Sequence, residues 1–359
     1  MIKIVEESNK KEMATRVNGA DCFYSYSKNS SFQRNAIDAA KELIKEAVFS
    51  KLDIACLSSS NTFRVTDLGC SMGPNTFLAV QNILEAVENK YRTQWRNSEV
   101  PDFQVFFSDQ AANDFNELFQ SLPPDRNYFA MGVPGSFYSR LFPKAHLHFV
   151  YSSFSLQCLS KVPEEVLDRN SPAWNKGRAH YSNSAHQVVE AYSAQYARDM
   201  GCFLNARAQE IVEGGLMAFV VPGRPNGTPH AQNYYNMTLD LFGSCLLDMA
   251  KKGVIAEDKV DSFNLPMYNA SLDEVEAIVK YNGCFSIERM ENLPQEKLQP
   301  NVFRSTVRAG MENIVRANFG EDILDEFFDS LNKKYEESTS VLESVTAVSL
   351  FVLLKRHSK

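Results

Sequence analysis

The stretch TDLGCSMGPNT, Thr66 to Thr76, decides the fold. A short apolar run, Phe63 to Leu68, precedes it and predicts a strand. Asn75 to Tyr91 follows, with Phe77, Val80, Leu84, Val87 and Tyr91 on one face of a helix. A glycine-bearing turn between strand and helix is where a doubly wound α/β fold carries its nucleotide loop. Gly69 and Gly73 let the backbone turn tightly and approach a ligand. The spacing is G-x-x-x-G, Pro74 follows, and Asp67 adds a negative charge. That is a poor cradle for pyrophosphate, which asks for G-x-G-x-x-G on a helix N-terminus. It suits a cofactor carrying an ammonium and a sulfonium. A nicotinamide dehydrogenase, the first rival, is disfavoured on this ground.

Outward from this turn, strands and helices alternate. Phe103 to Ser108, Tyr128 to Gly132, Leu147 to Ser152 and Gly215 to Val221 read as further strands, and Gln187 to Val212 as a long helix. Cys284 to Arg289 and Thr346 to Leu354 are two late strands, able to pair antiparallel. The second strand ends in FFSDQ, which puts Asp109 at its tip, where a carboxylate can accept ribose hydroxyls. The expected fold is α/β, a Rossmann-like seven-stranded sheet with a helical cap. Helical stretches at 231–251, 272–281 and 303–335 are assigned to that cap. One cooperative unit, 1–359, is expected, with the sheet mainly in 50–222, 284–290 and 345–359. The cap takes mainly 223–283 and 291–344.

Composition supports a packed globular chain. Of 359 residues, 44% are hydrophobic, enough for a large core. The formal net charge of −7 is spread without blocks, which argues against nucleic acid as a partner. No apolar run is long enough for a membrane span, and the start has no secretory signature. The seven cysteines form no CxxC pair, which reads as reduced thiols in a cytoplasmic protein.

Several separated blocks then resemble one family. They are SYSKNSSFQ (Ser25 to Gln33), DLGCSMGPNTF, SDQAANDFN (Ser108 to Asn116), VPGSFYSRLFP (Val133 to Pro143), NKGRAHY (Asn175 to Tyr181) and VDSFNLPMY (Val260 to Tyr268). Together they resemble the plant SABATH methyltransferases, nearly end to end. The runs ARAQEIVEGGLM and VDSFNLP look most like the members that methylate loganate. The resemblance implies the fold of class I methyltransferases and S-adenosylmethionine as cofactor. By motif, Tyr26, Asp67, Cys70, Asn75, Asp109, Gln110, Ser136 and Phe137 are the implied cofactor contacts, although the family usually has Leu at Gln110. Asn175, Asp261, Phe263 and Asn264 match a magnesium site of some members, while Asp261 and Asn264 could equally cap a helix. A homodimer and a small-molecule acceptor are implied as well.

No catalytic residue is expected. A carboxylate is already ionised at neutral pH, so alignment and desolvation can supply the rate without a general base. His146 and His148 lie in a strand and read as core histidines, and His186 as a surface group. For acceptor positioning the candidates are Gln33, Phe154, Gln157 and Cys158. Here the chain departs from the family: within SSFSLQCLSKVP, Cys158 stands where a carboxylate-binding tryptophan is expected. Cysteine is a weak donor and much smaller. Either Gln157 replaces the anchor and the acceptor stays a carboxylate, or the acceptor is bulkier, such as an enol of a terpenoid-derived alkaloid. Nitrogen methylation of a heterocycle is the remaining enzymatic alternative, and a non-catalytic binding relative the second rival. Tyr138, Phe142, Trp174, Tyr234, Tyr235, Met267 and Tyr268 are further candidate pocket residues.

Overall fold

The computed structural model describes residues 24–53, 61–94 and 100–357. A single helical turn, Tyr26–Asn29, leads into α1 (Ser31–Lys51). Next come β1 (Thr62–Leu68), α2 (Pro74–Gln94), β2 (Asp102–Asp109), α3 (Phe115–Gln120), β3 (Tyr128–Pro134) and β4 (Leu147–Ser153). The long α4 (His186–Glu210) runs directly into β5 (Ile211–Gly223). Then follow α5 (Tyr234–Lys251), α6 (Glu257–Asp261), α7 (Leu272–Asn282) and β6 (Phe285–Pro294). The chain ends with α8 (Pro300–Phe319), α9 (Leu324–Glu337), α10 (Thr339–Ser344) and β7 (Val348–Arg356).

The seven strands form one sheet in the order β3-β2-β1-β4-β5-β7-β6. The first five are parallel, and β7 inserts antiparallel between β5 and β6. Strand β4 is buried at six of seven positions, as a central parallel strand covered on both faces must be. Chain order reverses between β1 and β4. Open α/β sheets bind ligands at such a switch point, beyond the C-terminal ends of the strands.

Each face of the sheet has its own apolar cluster. One joins α1 and α2, through Ile37, Ile44, Val80, Ile83 and Val87, to Phe63, Val65, Phe107 and Phe149. The other joins α4 and α7, through Tyr192, Phe203, Val275 and Val279, to Val150, Phe219 and Val352. A third cluster lies among α5, α8 and α9, built on Phe242, Phe303, Phe327 and Phe328. Helix α7 is delimited as its sequence asks, by a Ser271–Glu274 capping box at one end and left-handed Gly283 at the other.

Three of the segments that differ from the sequence reading concern long helices. Residues 31–51, assigned no element there, form α1, whose buried Ala36, Ile37, Ala40, Ile44 and Val48 repeat at helical spacing. The expected single helix over 303–335 is two, because Gly320 takes φ +98° and ends α8. Helix α4 stops at Glu210, and Ile211, read as helical, begins β5. A register shift between β4 and β5 follows, with Gly214 at φ +75°.

The histidines read as core are confirmed as such at His148. It is buried, its Nδ1 accepts from the Arg64 amide at 2.9 Å, and burial pushes its pKa down to about 4. His146 sits just before β4, and His186 is exposed at the start of α4. Among the described residues, no helix is long and apolar enough to cross a membrane.

Candidate active site

A cavity of ≈ 320 Å³ opens beyond the C-terminal ends of β1, β2 and β4 and is roofed by α5, α8 and α9. Its two ends differ in chemistry. At the sheet end, Gly69 takes φ +82°, and the amides of Gly69 and Cys70 both donate to the carbonyl of Ser108 on β2. This bends the turn over the tip of β2. The Asp109 carboxylate receives the Ser71 amide on Oδ2 and the Gln110 amide on Oδ1, each at 2.7 Å. Burial pushes the Asp109 pKa up, and these two amides oppose it.

Asp67, at the end of β1, is buried. Its Oδ2 accepts from the Thr76 hydroxyl at 2.5 Å, while Oδ1 has no protein partner. Burial raises its pKa to about 7 against the Thr76 hydrogen bond, and Asp109 adds to the rise. The sheet end therefore has one carboxylate, Asp109, in its lining and a second, Asp67, buried behind it with an unpartnered oxygen. Among the described residues, no Lys, Arg or His lines the cavity. Such a site attracts a cation and a donor-rich ligand.

The roof end is apolar. Phe32 of α1 meets Phe154 and Tyr235 edge-to-face at 6.0 and 6.2 Å. Leu239, Phe242, Phe303, Val307 and Met311 complete that wall from the cap helices. Polar groups of the lining include Gln33, Ser153, Gln157 and Cys158. Phe154 itself holds the left-handed conformation, φ +54°, with its amide bonded to the Val220 carbonyl. A non-glycine residue there stores strain, which the surrounding packing must overcome.

The turn after β4 is tied to the cap. The Tyr268 amide donates to the Gln157 carbonyl at 2.8 Å, and the Leu159 amide to the Pro266 carbonyl at 2.7 Å. Tyr138 Oη donates to the Cys158 carbonyl. Behind this, Tyr268 Oη and the Arg224 guanidinium both donate to Glu274, the capping-box acid of α7. These bonds, with Ser271, hold the Glu274 carboxyl below its ordinary range against its burial.

A family profile described as S-adenosylmethionine-dependent carboxyl methyltransferase matches residues 12–357. The chain belongs to that family. It is 47% identical to loganic acid O-methyltransferase of Catharanthus roseus over 348 residues, 94% of this chain and 93% of that one. It is 42% identical to farnesoic acid carboxyl-O-methyltransferase of Arabidopsis thaliana, covering 93% and 96% of the two chains. Paraxanthine methyltransferase 2 of the same plant is 38% identical, covering 92% and 95%. A solved structure of loganic acid methyltransferase with SAH matches with a TM-score of 0.92 at 45% identity, covering 96% of this chain and 99% of that one. This family member is therefore an S-adenosylmethionine-dependent methyltransferase with the seven-stranded fold expected from its sequence.

The residues at the sheet end fit that cofactor. Asp67 Oδ1 is an orphaned buried acceptor for an ammonium. Asp109, fixed by two amides, offers its remaining lone pairs to hydroxyl donors. Gly69 holds the left-handed turn, φ +82°, that lets Ser155 of the turn after β4 pack against the cofactor loop.

Of the implied cofactor contacts, Tyr26, Asp109, Gln110 and Phe137 line the cavity. Asp67 and Cys70 lie buried just behind it. Two do not face it as expected. Asn75 turns its amide nitrogen to the carbonyl and hydroxyl of Ser30, each at 3.0 Å, and so ties α2 to the start of α1. Ser136 is exposed, and its Oγ receives the Tyr138 amide.

All four acceptor-positioning candidates, Gln33, Phe154, Gln157 and Cys158, line the cavity. So do Tyr234, Tyr235 and Met267. Phe142 instead packs against Phe106 in the core, Trp174 lies between Arg169 and Lys176, and Tyr268 reaches Glu274. Sequence reading missed Ser71 and Asn113, which brace the loop (Asn113 Nδ2 donates to the Ser71 carbonyl), and every contributor from α8. The block SDQAANDFN contained Asn113. Nothing local marked Phe303, Val307 or Met311 off from ordinary core residues.

The candidate magnesium residues do converge, but through bonds to one another. Asn175 Nδ2 donates to Asn264 Oδ1 at 2.6 Å, and Asn175 Oδ1 accepts from Ser184 Oγ at 2.6 Å. Asp261 Oδ1 accepts the Gly177 amide at 2.8 Å, and Phe263 is buried against Phe242 and Phe319. A hard divalent ion asks for several free oxygens. Here there is one carboxylate, the amide oxygens are engaged, and the unpartnered buried atom is the donor Asn264 Nδ2. The residues as arranged do not fit the ion. Neither Asp261 nor Asn264 caps a helix, so that alternative fails too.

Proposed function

We propose that the chain transfers the methyl group of S-adenosylmethionine to an acidic oxygen, enol or carboxylate, of a bulky plant specialised metabolite of the iridoid or monoterpene indole alkaloid class. The observation that carries the reading is the cavity wall itself: apolar residues from the cap, Cys158 among the polar lining residues, and no Lys, Arg or His among the described lining residues. Burial, with Asp109 nearby, pushes the Cys158 thiol up to about 11, so it stays protonated and takes no part as a nucleophile. The similarity to loganic acid O-methyltransferase supports the iridoid side of the proposal.

The cofactor supplies an electrophilic methyl on a sulfonium. An acceptor oxygen donates a lone pair to that carbon while the carbon–sulfur electron pair passes to sulfur, leaving a neutral thioether. An acceptor ionised beforehand releases no proton in this step, so the protein needs no base. What the chain supplies is alignment, through Phe154 and the aromatic wall, and exclusion of water by the roof. With no cationic side chain among the described lining residues, the sulfonium would supply the positive charge facing the acceptor oxygen and would lose it as the methyl moves.

The test is transfer of labelled methyl to a panel of iridoid acids, simple aromatic acids, alkaloid enols and ring-nitrogen heterocycles. Bulky acids or enols should be preferred, and preferential turnover of simple benzoates would refute the reading. We further propose a homodimer, on the strength of the family resemblance. Sedimentation showing only monomer at micromolar protein would reject it.

A further inference from the structure

We infer that Tyr24 is a positioning residue: clamped by two arginines of the roof, it holds the helical turn Tyr26–Asn29 across the cofactor end and limits how fast S-adenosylhomocysteine leaves. This acts at the cofactor end, whichever acceptor is methylated. Arg308 Cζ lies 4.1 Å from the centre of the Tyr24 ring, and Arg304 Cζ 5.3 Å. Arg304 also donates to Tyr24 Oη. Acidic partners fix both guanidinium groups independently of the ring. Arg304 Nε donates to Asp329 Oδ1 at 2.6 Å, and Arg308 donates to Glu312 and Asp325. The arginines and Glu312 belong to α8, and the two aspartates to α9. The clamp is thus preorganised, so the phenol seats in it without having to order two long side chains.

From Tyr24 the chain crosses to the cofactor loop. Ser25 is buried, and its carbonyl accepts the Lys28 amide at 3.2 Å and Asn29 Nδ2 at 2.9 Å, which closes the turn. A β-carbon on Gly73 would stand 3.4 Å from Ser27 Cα and 3.6 Å from Tyr26 Cδ1, so the turn lies directly on the loop. Ser30, just after the turn, is held by Asn75. Tyr26 lines the cavity between these anchors. Burial raises the pKa of its phenol, and Asp109, Asp67 and Cys158 are close enough to add to the rise. Asn75 thus secures the turn on the cofactor side, and Tyr24 secures it on the roof. Releasing Tyr24 frees the roof side of the turn, and Tyr26 with it. A ligand held at the cofactor end then escapes faster, while the carboxylates that attract it stay in place.

The experiment chases labelled S-adenosylhomocysteine from the full chain with excess unlabelled ligand, beside calorimetry. Tyr24→Ala should raise the dissociation rate constant and the dissociation constant together by about tenfold, with association within about threefold of wild type. Tyr24→Phe keeps the ring over both guanidinium groups and should release the ligand within about threefold of the wild-type rate. Arg304→Ala should also speed release. Added to Tyr24→Ala it should contribute less than about twofold more, because the same clamp is already open. A loss of general stability would not confine itself to the dissociation rate or show this coupling. Release from Tyr24→Ala less than about threefold faster than wild type overturns the inference, as does weaker binding caused by slower association. So do fully multiplicative effects of the two changes. The Arg304 side chain is 25% exposed. Arg304→Ala therefore carries the test if Tyr24→Ala does not fold, and unchanged release from it then overturns the inference.

Discussion

Ser155 Oγ lies 2.0 Å from the place a β-carbon on Gly69 would occupy. The turn after β1, which faces the cofactor end, and the turn after β4, which faces the acceptor, thus touch through a missing side chain. Gly69 also holds φ +82°. Gly69→Ala should lower S-adenosylhomocysteine affinity at least about tenfold and destabilise the fold by more than about 1 kcal/mol. Adding Ser155→Gly should relieve the collision but not the strain, recovering part of the loss. Calorimetry and denaturant melts of the single and double variants measure this. Wild-type behaviour of Gly69→Ala would refute it.

Asp67 should make cofactor binding pH-dependent. Burial is the chief cause that raises its pKa to about 7. A cationic group on its free oxygen favours the ionised form. Below about pH 7 binding must expel a proton, so affinity should fall by up to tenfold per pH unit and level off above 7. Titration at pH 6 in buffers of different ionisation enthalpy should reveal up to one proton released. Asp67→Asn should bind more weakly and lose this dependence. A dissociation constant flat from pH 5.5 to 8 in the wild type would contradict the assignment.

The loop bearing Phe137 depends on a buried ion pair on α4. Arg207 and Glu210 have fully buried side chains, 2.7 Å apart. Arg207 donates to the carbonyls of Phe137 and Ser139, and Glu210 Oε1 accepts the amides of Leu141 and Phe142. Replacing Arg207 by Met leaves the carboxylate uncompensated and should cost about 3–5 kcal/mol. The double variant Arg207→Met, Glu210→Gln should cost less than the sum of the two single changes. Urea denaturation of the cycle tests this coupling.

Cys158→Trp should change acceptor choice rather than cofactor binding. Cys158 lines the cavity, so an indole at this position takes up space that a bulky acceptor would need. The expected outcome is at least a tenfold shift of kcat/KM towards small flat acids, with S-adenosylhomocysteine affinity held within a few fold. Unchanged acceptor preference would show that Cys158 does not set the size of the site.

How far the chain could be read without its fold is plain from particular residues. Strand β1, the turn TDLGCSMGPNT and helix α2 follow from local rules: alternation, turn-forming glycine and helical spacing act over a few residues. The placement of Asp67 and Asp109 at neighbouring strand tips follows too, since each ends a strand of a parallel sheet. Gly320 is legible as a helix stop from local rules as well. Tertiary structure alone decided the rest. Asn75 was aimed at Ser30 by the packing of α1 on α2, and the metal candidates were closed on one another by Ser184 and Gly177. Residues of α8, more than 140 positions beyond Phe154, reach the same cavity. Which atom of the Gln157 side-chain amide is bonded, Nε2 rather than Oε1, depends on one carbonyl three residues away, placed by the strained turn at Phe154. Sequence determines what each segment can form. Which buried polar atom is left without a partner depends on every neighbour at once, and only the folded chain brings those neighbours together.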